Sequence, residues 1–236
     1  MANLKGTQIT WLGHATALIT TAQGMQILID PFIEHNPKYP KEYKLPEKID
    51  LLLLSHGHGD HIGDAVSVAK KHKPQTVGIF ELVAWLNSKG VEDIAGMNLG
   101  GTYKFKDVAV TLVEAKHSSS IQDGKEIIYA GVAAGLVISI EGGPVIYHAG
   151  DTSLFSDMQI IKDLYSPEIG LLPIGDHYTM GPKAAAIAAN YLGLKAVIPI
   201  HFGTFPELTG TPQELEAHLQ KYKIETLTLT PGVAAN

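Results

Sequence analysis

The chain carries the stretch His56-Gly57-His58-Gly59-Asp60-His61 directly after an apolar run, Leu51-Leu52-Leu53-Leu54-Ser55. Imidazoles two residues apart on an extended segment can bind one cation, and an aspartate and a third histidine just beyond can turn toward a second. Glycine at both intervening positions removes side chains that would crowd two closely spaced ions. Solvated histidine-rich loops rarely follow a buried-strand pattern, so the stretch predicts a metal site at the end of a strand.

The composition limits the ligands that such a site can use. The chain has 236 residues, of which 45% are hydrophobic and 18% charged, so we expect one domain spanning residues 1–236 with a sizeable core. It contains no cysteine, which excludes disulfides and thiolate nucleophiles. Any metal must therefore be held by imidazole, carboxylate, water or backbone oxygen.

Charge and hydropathy indicate which partners to expect. All 18 basic residues are lysines and the net charge is −6, which argues against a nucleic-acid partner and favours a small-molecule substrate. No stretch approaches the ~18–20 uncharged apolar residues of a membrane span, so we expect no integral membrane segment. Residues 1–6 lack the basic start and apolar core of an export signal, and we expect a cytoplasmic protein.

Hydrophobic periodicity predicts two halves of comparable layout, each with strands followed by alternating helices and strands. The first half is predicted as an antiparallel pair (9–20 and 25–30), a surface loop (34–48), a strand (51–55), a helix (64–72), a strand (75–80) and a helix (81–89). The second half is predicted as strands (102–105, 108–115, 131–140, 144–148), a helix (154–164), a strand (169–174), a helix (182–192), a strand (196–200), a helix from the capping box at 211–214 to about 222, and a strand (224–230). This α/β pattern predicts two packed sheets with helices on the outer faces.

Further candidate ligands stand at the ends of other predicted strands. Each follows an apolar run and is flanked by small residues, so that a site could be assembled from several loops. These candidates are His117 after residues 108–115, Asp151 shortly after residues 145–147, and His201 after residues 197–200. A single histidine at a strand end is most simply a surface residue, but the recurrence behind three strands favours a shared site.

The order His-x-His-x-Asp-His, then His, then Gly-Asp, then His resembles the metallo-β-lactamase superfamily over nearly the whole chain. The resemblance implies a four-layer αββα sandwich, with two mixed sheets and helices on the outer faces. It also implies a first metal held by His56, His58 and His117, a second held by Asp60, His61 and His201, and Asp151 bridging the two.

The implied chemistry is hydrolysis at two divalent cations. Such a pair, about 3.5–4 Å apart, shares a hydroxide that acts as the nucleophile at neutral pH. Asp60 and Asp151 would offset the charge of the cations and accept the proton of the attacking water. An imidazole-rich site suits Zn²⁺ best, and mixed histidine and carboxylate sites also accept Mn²⁺, Fe²⁺ or Ni²⁺.

Four further residues are candidates for support of the site. Asp30 matches the aspartate of the superfamily's first motif and is expected to orient a metal-binding imidazole. His14 either lines the pocket or is a hydrogen-bonded structural residue. His177 follows the predicted strand 169–174, and we expect it to contact substrate or protonate the leaving group. His148 has apolar neighbours and is expected to be buried and structural.

Two further motifs resemble a narrower branch of the superfamily, Trp11-Leu12-Gly13-His14-Ala15-Thr16 and Gly175-Asp176-His177-Tyr178-Thr179-Met180-Gly181-Pro182. That branch includes L-ascorbate-6-phosphate lactonases, N-acyl-phosphatidylethanolamine phospholipases D and short metal-dependent hydrolases, which this chain resembles most. The resemblance to the lactonases is compatible with a homo-oligomer. It does not identify a substrate.

Several functions remain open at this point. The leading hypothesis is cleavage of an ester-like bond, a lactone or carboxylic ester, in a small molecule. A phosphodiesterase acting on a small or lipid-like phosphodiester is the alternative, since Lys116 and Lys183 could contact phosphate. Two further hypotheses are a non-catalytic metal-binding sensor and an enzyme that carries out redox chemistry at two irons. The diiron oxygen-reducing members carry an acidic residue where this chain has His58, which favours hydrolysis.

Overall fold

The computed structural model describes residues 3–235, which build two large sheets and six helices. In chain order the elements are β1 (Gln8–Trp11), β2 (Ala17–Thr20), β3 (Gln26–Ile29), β4 (Leu51–Leu53), α1 (Gly59–Ile62), α2 (Ala65–His72), β5 (Gln75–Ile79), α3 (Phe80–Ser88), β6 (Ile94–Met97), β7 (Thr102–Phe105), β8 (Val108–Glu114), β9 (Ser120–Asp123), β10 (Glu126–Tyr129), β11 (Ala134–Ile140), β12 (Val145–His148), α4 (Met158–Tyr165), β13 (Ile169–Pro173), α5 (Pro182–Tyr191), β14 (Ala196–Ile200), α6 (Pro212–Leu219), β15 (Glu225–Thr226) and β16 (Ala234–Ala235). Across residues 3–235, no helix combines the length and hydropathy needed to span a bilayer.

Both sheets are mixed and contain seven strands. The strand order is β16-β1-β2-β3-β4-β5-β6 in the first sheet and β15-β14-β13-β12-β11-β8-β7 in the second. Strands β3 to β6 pair in parallel, as do β12 to β15, whereas the other pairs in the two sheets are antiparallel. A separate hairpin of β9 and β10 completes the strands.

The four consecutive leucines that begin at Leu51 show how the layers form. Leu51 and Leu53 lie in the core between the two sheets, whereas Leu52 and Leu54 lie in the core beneath α2 and α3. All four are fully buried, because successive side chains of a strand point to opposite faces and both faces of this sheet are covered.

The second sheet is covered in the same way by α4, α5 and α6, which share a third core with its outer face. The small side chains of α5 let this helix lie close to the sheet, since its buried residues are all alanines. Thr211 and Glu214 form the predicted capping box at the start of α6. The three cores separate four layers, which confirms the αββα sandwich.

Residues 9–20 were expected to form one strand, and this prediction is wrong. The chain reverses between β1 and β2, and the two strands pair with each other. Gly13 (φ +95°) and His14 (φ +55°) adopt left-handed conformations in this turn. A Cβ at Gly13 would lie 2.8 Å from the backbone of Lys38, so only glycine fits at that position.

The predicted final strand, residues 224–230, is reduced to the two residues of β15. The backbone N–H groups of Glu225 and Leu227 donate hydrogen bonds to the carbonyl oxygens of Lys195 and Val197, at and just before β14. The next residue of β14 that faces β15 is Pro199. Because proline has no N–H, the parallel ladder stops there.

Helix α4 starts at Met158 rather than at residue 154. The backbone N–H of Ser153 donates to Lys116 O at 3.2 Å, so the segment before the helix contacts another loop instead of joining the helix.

The sequence did not predict β6 or the β9–β10 hairpin. Most side chains of β10 are exposed, so this strand carries no alternating apolar pattern.

Candidate metal centre

The carboxyl ends of several strands from both sheets meet at one edge of the sandwich. The stretch that follows β4 extends through His58 and turns into the single helical turn α1. His56 and His61 are fully buried, whereas His58 and Asp60 are partly exposed. This change from extended chain to helix directs the side chains of one short segment toward two neighbouring positions.

The two glycines of this stretch have different surroundings in the protein. A Cβ at Gly57 would lie 2.5 Å from Ala130 Cβ, so glycine there allows the residues flanking the β9–β10 hairpin to pack closely. A Cβ at Gly59 would meet no atom within 4 Å. That these glycines also leave room for two closely spaced ions stays a prediction.

One group of imidazoles consists of His56, His58 and His117. Their candidate ligand atoms all lie within 4.8 Å of one another. His56 Nε2 lies 3.0 Å from His58 Nδ1, and the rings of His56 and His117 have centroids 5.1 Å apart. The loop after β8 thus brings His117 close to the segment that follows β4.

A second group consists of Asp60, His61 and His201, together with His14, and its candidate ligand atoms also lie within 4.8 Å of one another. His201 Nε2 lies 3.8 Å from Asp60 Oδ2. His201 stands directly after β14 in a left-handed conformation (φ +54°), and its N–H donates to His14 O at 2.9 Å. This backbone bond joins the two sheets beside the site.

Asp151 lies between the two groups. Its Oδ2 is 3.1 Å from His201 Nε2, 3.5 Å from His117 Nε2 and 4.0 Å from His56 Nε2. Its Oδ1 is 3.3 Å from His61 Nε2. One carboxylate after β12 therefore approaches imidazoles of both groups.

Asp30 fixes the orientation of the buried imidazoles. Its carboxylate accepts hydrogen bonds from the Ser55 backbone N–H at 2.8 Å and the Ser55 hydroxyl at 2.5 Å, and His61 Nδ1 lies 2.8 Å away. Ser55 Oγ in turn lies 3.0 Å from His56 Nδ1. Because the Nδ1 atoms of both rings have partners on the core side, their Nε2 atoms face the site.

His14 is fully buried beneath the site and does not line the open cavity. Its Nε2 lies 3.0 Å from Asp60 Oδ2 and its Nδ1 lies 3.0 Å from Thr204 Oγ1. A carboxylate can only accept, so Nε2 carries the proton and Nδ1 accepts from the threonine hydroxyl. Of the two roles considered for His14, the hydrogen-bonded structural one fits this geometry.

His148 is fully buried, as expected, and is held by backbone groups. Its Nε2 lies 2.9 Å from Ala15 O, and its Nδ1 accepts a hydrogen bond from the Gly150 N–H at 3.1 Å. Both ring nitrogens therefore have partners within the protein.

Burial is the main cause of the lowered pKa values in the first group, His56, His58 and His117. Burial lowers the pKa of His56 well below its ordinary value, and the neighbouring His61 lowers it further. Burial is also the largest cause that lowers the pKa of His58 and of His117. These imidazoles are therefore neutral at pH 7, the form in which histidine binds a metal ion.

In the second group, the attraction between imidazoles and carboxylates decides the direction of the pKa shifts. Burial disfavours the charged form of His61 and His201, but the Asp151 carboxylate raises the pKa of His61 well above its ordinary value and also raises that of His201. Burial likewise opposes ionisation of Asp151, yet both imidazoles hold its pKa well below the usual range. Burial lowers the pKa of His14 to about 4.

Buried polar atoms without partners test whether a metal fits here. His61 Nε2, His201 Nε2 and Asp151 Oδ1 are buried and make no hydrogen bond with any residue from 3 to 235. Leaving such atoms unsatisfied is costly, and all three are metal-binding atoms that face one another. The residues present therefore fit divalent cations.

The two groups open into a cavity of about 530 Å³. Besides His58, Asp60, His117, Asp151 and His201, it is lined by Ser118, Tyr178, Phe205, Pro206 and Glu207. His177 is exposed, and its ring packs edge-on against Tyr178, which is the member of this loop that lines the cavity. The role of His177 stays a prediction.

Sequence reasoning did not select Tyr178, Phe205 or Glu207. Each lies within a few residues of a strand end that carries a candidate residue, and this position is the signal that could have found them. Aromatic and acidic residues in exposed loops are common, however, and nothing in their spacing distinguishes these three.

Comparison with known proteins identifies the family of the chain. Residues 25–202 match the family described as the β-lactamase superfamily domain. The chain belongs to the metallo-β-lactamase superfamily. Its relatives include the UPF0173 metal-dependent hydrolases of Koribacter versatilis, 54% identical over 92% of this chain and 94% of that protein, and of Methanopyrus kandleri, 44% identical over 95% and 97%.

A solved metallo hydrolase from Ignicoccus hospitalis superposes with a TM-score of 0.85 at 32% identity, over 97% of each chain. The sequence and structural matches agree with the resemblance to metal-dependent hydrolases. The protein is accordingly a metal-dependent hydrolase with histidine and aspartate groups suited to divalent ions.

Proposed function

We propose that this protein is a dinuclear hydrolase that cleaves an ester-like bond, a lactone or a carboxylic ester, in a small molecule. The observation that carries the proposal is the position of Asp151, whose carboxylate lies within 3.1–4.0 Å of Nε2 atoms from both histidine groups. A carboxylate placed between two sets of ligands suits a bridging role.

The proposed ligands divide between the two ions. His56, His58 and His117 would hold one ion, Asp60, His61 and His201 the other, and Asp151 both. Bound ions would supply a nucleophile from water at neutral pH and stabilise negative charge on the substrate. Zinc suits this imidazole-rich set best, and manganese is the second candidate.

The remaining steps depend on side chains of this chain. Asp60 is 30% exposed and lines the cavity, so its carboxylate can accept a proton from an entering water molecule. Asp30 holds His61 with Nε2 toward the site. His177 is our candidate for protonating the leaving group, since its loop borders the cavity.

The test is turnover together with metal content. Protein loaded with Zn²⁺ or Mn²⁺ is assayed on generic carboxylic esters, lactones and phosphodiesters. We expect hydrolysis of an ester or lactone, and a loss of at least about a hundredfold in kcat/KM for Asp151→Asn and His58→Ala. His35→Ala, in an exposed loop, is the matched control and should keep full activity.

Two results would contradict the proposal. One is full turnover by Asp151→Asn. The other is no turnover on any substrate class by protein that retains its ions, which would instead favour the metal-binding sensor.

A further inference from the structure

The part of the cavity wall beyond the proposed ligands, as residues 3–235 form it, carries one negative charge and no positive charge. It consists of Ser118, Tyr178, Phe205, Pro206 and Glu207, with two aromatic rings and one carboxylate. Among residues 3–235, no lysine lines this cavity. A negatively charged group held away from the metal ions would therefore meet no opposite charge and one like charge.

The two lysines that could have contacted a phosphate lie elsewhere. Lys116 is paired with Glu114, the last residue of β8. Lys183 lines a different cavity, between the start of α5 and α6. Neither is among the residues that line the metal cavity, so a phosphorylated substrate would rely on the ions alone.

The carboxylate of Glu207 is available for a ligand. It takes part in no hydrogen bond or ion pair with any residue between 3 and 235, and the residue is exposed at the cavity. Some acidic residues of the surface are paired, as Glu168 is with Lys5 and Lys195, whereas Glu207 is not. An unpaired carboxylate that lines the same cavity as two aromatic rings is a suitable site for an organic cation.

Phe205 is held in place before a ligand binds, and Tyr178 stands on a constrained loop. The ring of Phe205 packs edge-on against the buried His14, with centroids 5.5 Å apart. Tyr178 follows two consecutive left-handed residues, Asp176 (φ +66°) and His177 (φ +54°). Such strained backbone persists where surrounding structure enforces it and is frequent at ligand sites. Tyr178 remains 55% exposed, which leaves its ring open to a ligand.

Building on the proposed function, we propose that the non-reacting part of the substrate is an apolar group bearing an amine or quaternary ammonium. Glu207 binds this cation while Tyr178 and Phe205 pack against the adjoining carbon atoms. Glu207 is thus a specificity-determining residue. The substrate therefore differs from the phosphorylated lactones of the branch that the sequence resembles.

The first test compares three esters that share one acyl group and differ in the alcohol portion, which is trimethylammonioethyl, its neutral isostere 3,3-dimethylbutyl, or phosphoethyl. We expect kcat/KM to be about threefold to tenfold higher for the cation than for the neutral isostere, and lowest for the phosphate. Glu207→Gln should bring the ratio of cation to neutral isostere close to one. Glu216→Gln, on the exposed face of α6, should keep the wild-type ratio.

A second test measures binding without turnover. Butyltrimethylammonium and its neutral counterpart 3,3-dimethylbutanol are titrated into the metal-loaded protein and into both variants by calorimetry. If no ester is cleaved but the ammonium ion binds more tightly and loses this preference in Glu207→Gln, the proposed function fails and the cation site stands. If esters are cleaved but the phosphate is favoured, or the preference survives in Glu207→Gln, the cation site is overturned and the hydrolase stands.

Discussion

Asp30 connects the core of the first sheet to the metal centre. It stands directly after β3 in a left-handed conformation (φ +45°), and its carboxylate is fully buried. Both of its oxygens are used, one by the Ser55 N–H and the other by the Ser55 hydroxyl and His61 Nδ1. A single side chain thereby orients one ring directly and a second, His56, through a serine.

Replacing this carboxylate by an amide tests that role. In Asp30→Asn, the amide removes the negative charge that favours a proton on His61 Nδ1, so His61 Nε2 binds an ion less well. We expect the affinity for the more weakly held ion to fall about 10–100-fold. Competition with a chromogenic chelator measures it, and Asp163→Asn, on the exposed face of α4, is the control. Equal affinities in the two variants would remove Asp30 from the site.

The two histidine groups should lose their ions at different pH values. The pKa values of His56, His58 and His117 are lowered, so these rings need not shed protons to bind an ion at neutral pH. The pKa values of His61 and His201 are raised, so an ion must displace their protons and its affinity falls as pH falls.

We therefore expect the ion held by Asp60, His61 and His201 to be lost before the ion held by His56, His58 and His117 when pH is lowered from about 8 to about 6. Ion content after dialysis at each pH measures this order, and calorimetry in two buffers with different ionisation enthalpies counts the protons released. Simultaneous loss of both ions, or an equal proton release for each, would contradict this assignment.

At the scale of elements, the stretch after β4 depends on its contact with the β9–β10 hairpin. Gly57 lies against Ala130, Ile121 and the backbone of Ser120, and its N–H donates to Ser119 Oγ at 3.1 Å. Gly59 begins α1 with open space beside it. These two glycines form a matched pair, since neither has a left-handed φ.

Alanine substitutions separate their roles. Gly57→Ala should lower the free energy of unfolding by about 1–3 kcal/mol, because the added methyl group overlaps Ala130. Gly59→Ala should be neutral or raise it by about 0.4–1 kcal/mol, because alanine reduces the freedom of the unfolded chain. Denaturant titration of both variants measures the difference. Equal effects would show that the hairpin contact does not constrain the loop.

The sequence predicted helices and strands correctly where the hydrophobic pattern and the capping residues of a segment indicate the same element. The alternation of β5 and α3, the long strand β11 and the capping box of α6 all carry hydrophobic or capping patterns. It failed where a distant contact decides the local structure. The turn at Gly13 depends on Lys38, and β15 ends because its partner strand contains Pro199. Neither contact is visible in local sequence.

At the scale of the whole molecule, the site joins the two sheets. Its candidate ligands follow β4 in the first sheet and β8, β12 and β14 in the second. The sequence predicted these candidates because each follows a buried strand. The cavity wall could not be predicted, because it depends on how the loops around Tyr178 and Glu207 lie after the sheets pack.

Removing the ions should therefore weaken the whole fold. An ion that binds only the folded chain contributes about 2.7 kcal/mol at a hundredfold excess over its Kd, which corresponds to about 5–10 °C in Tm for a domain of this size. We expect chelation to lower Tm by that amount and added Zn²⁺ to restore it, as calorimetry would show. An unchanged Tm would mean that the ions do not hold the two sheets together.

The most direct test of the central claim is a crystal structure of the metal-loaded protein with anomalous difference maps at the absorption edge of the bound metal. We predict two peaks per chain, one among His56, His58 and His117 and one among Asp60, His61 and His201, with Asp151 contacting both. A single peak, or peaks bound by other residues, would contradict the account.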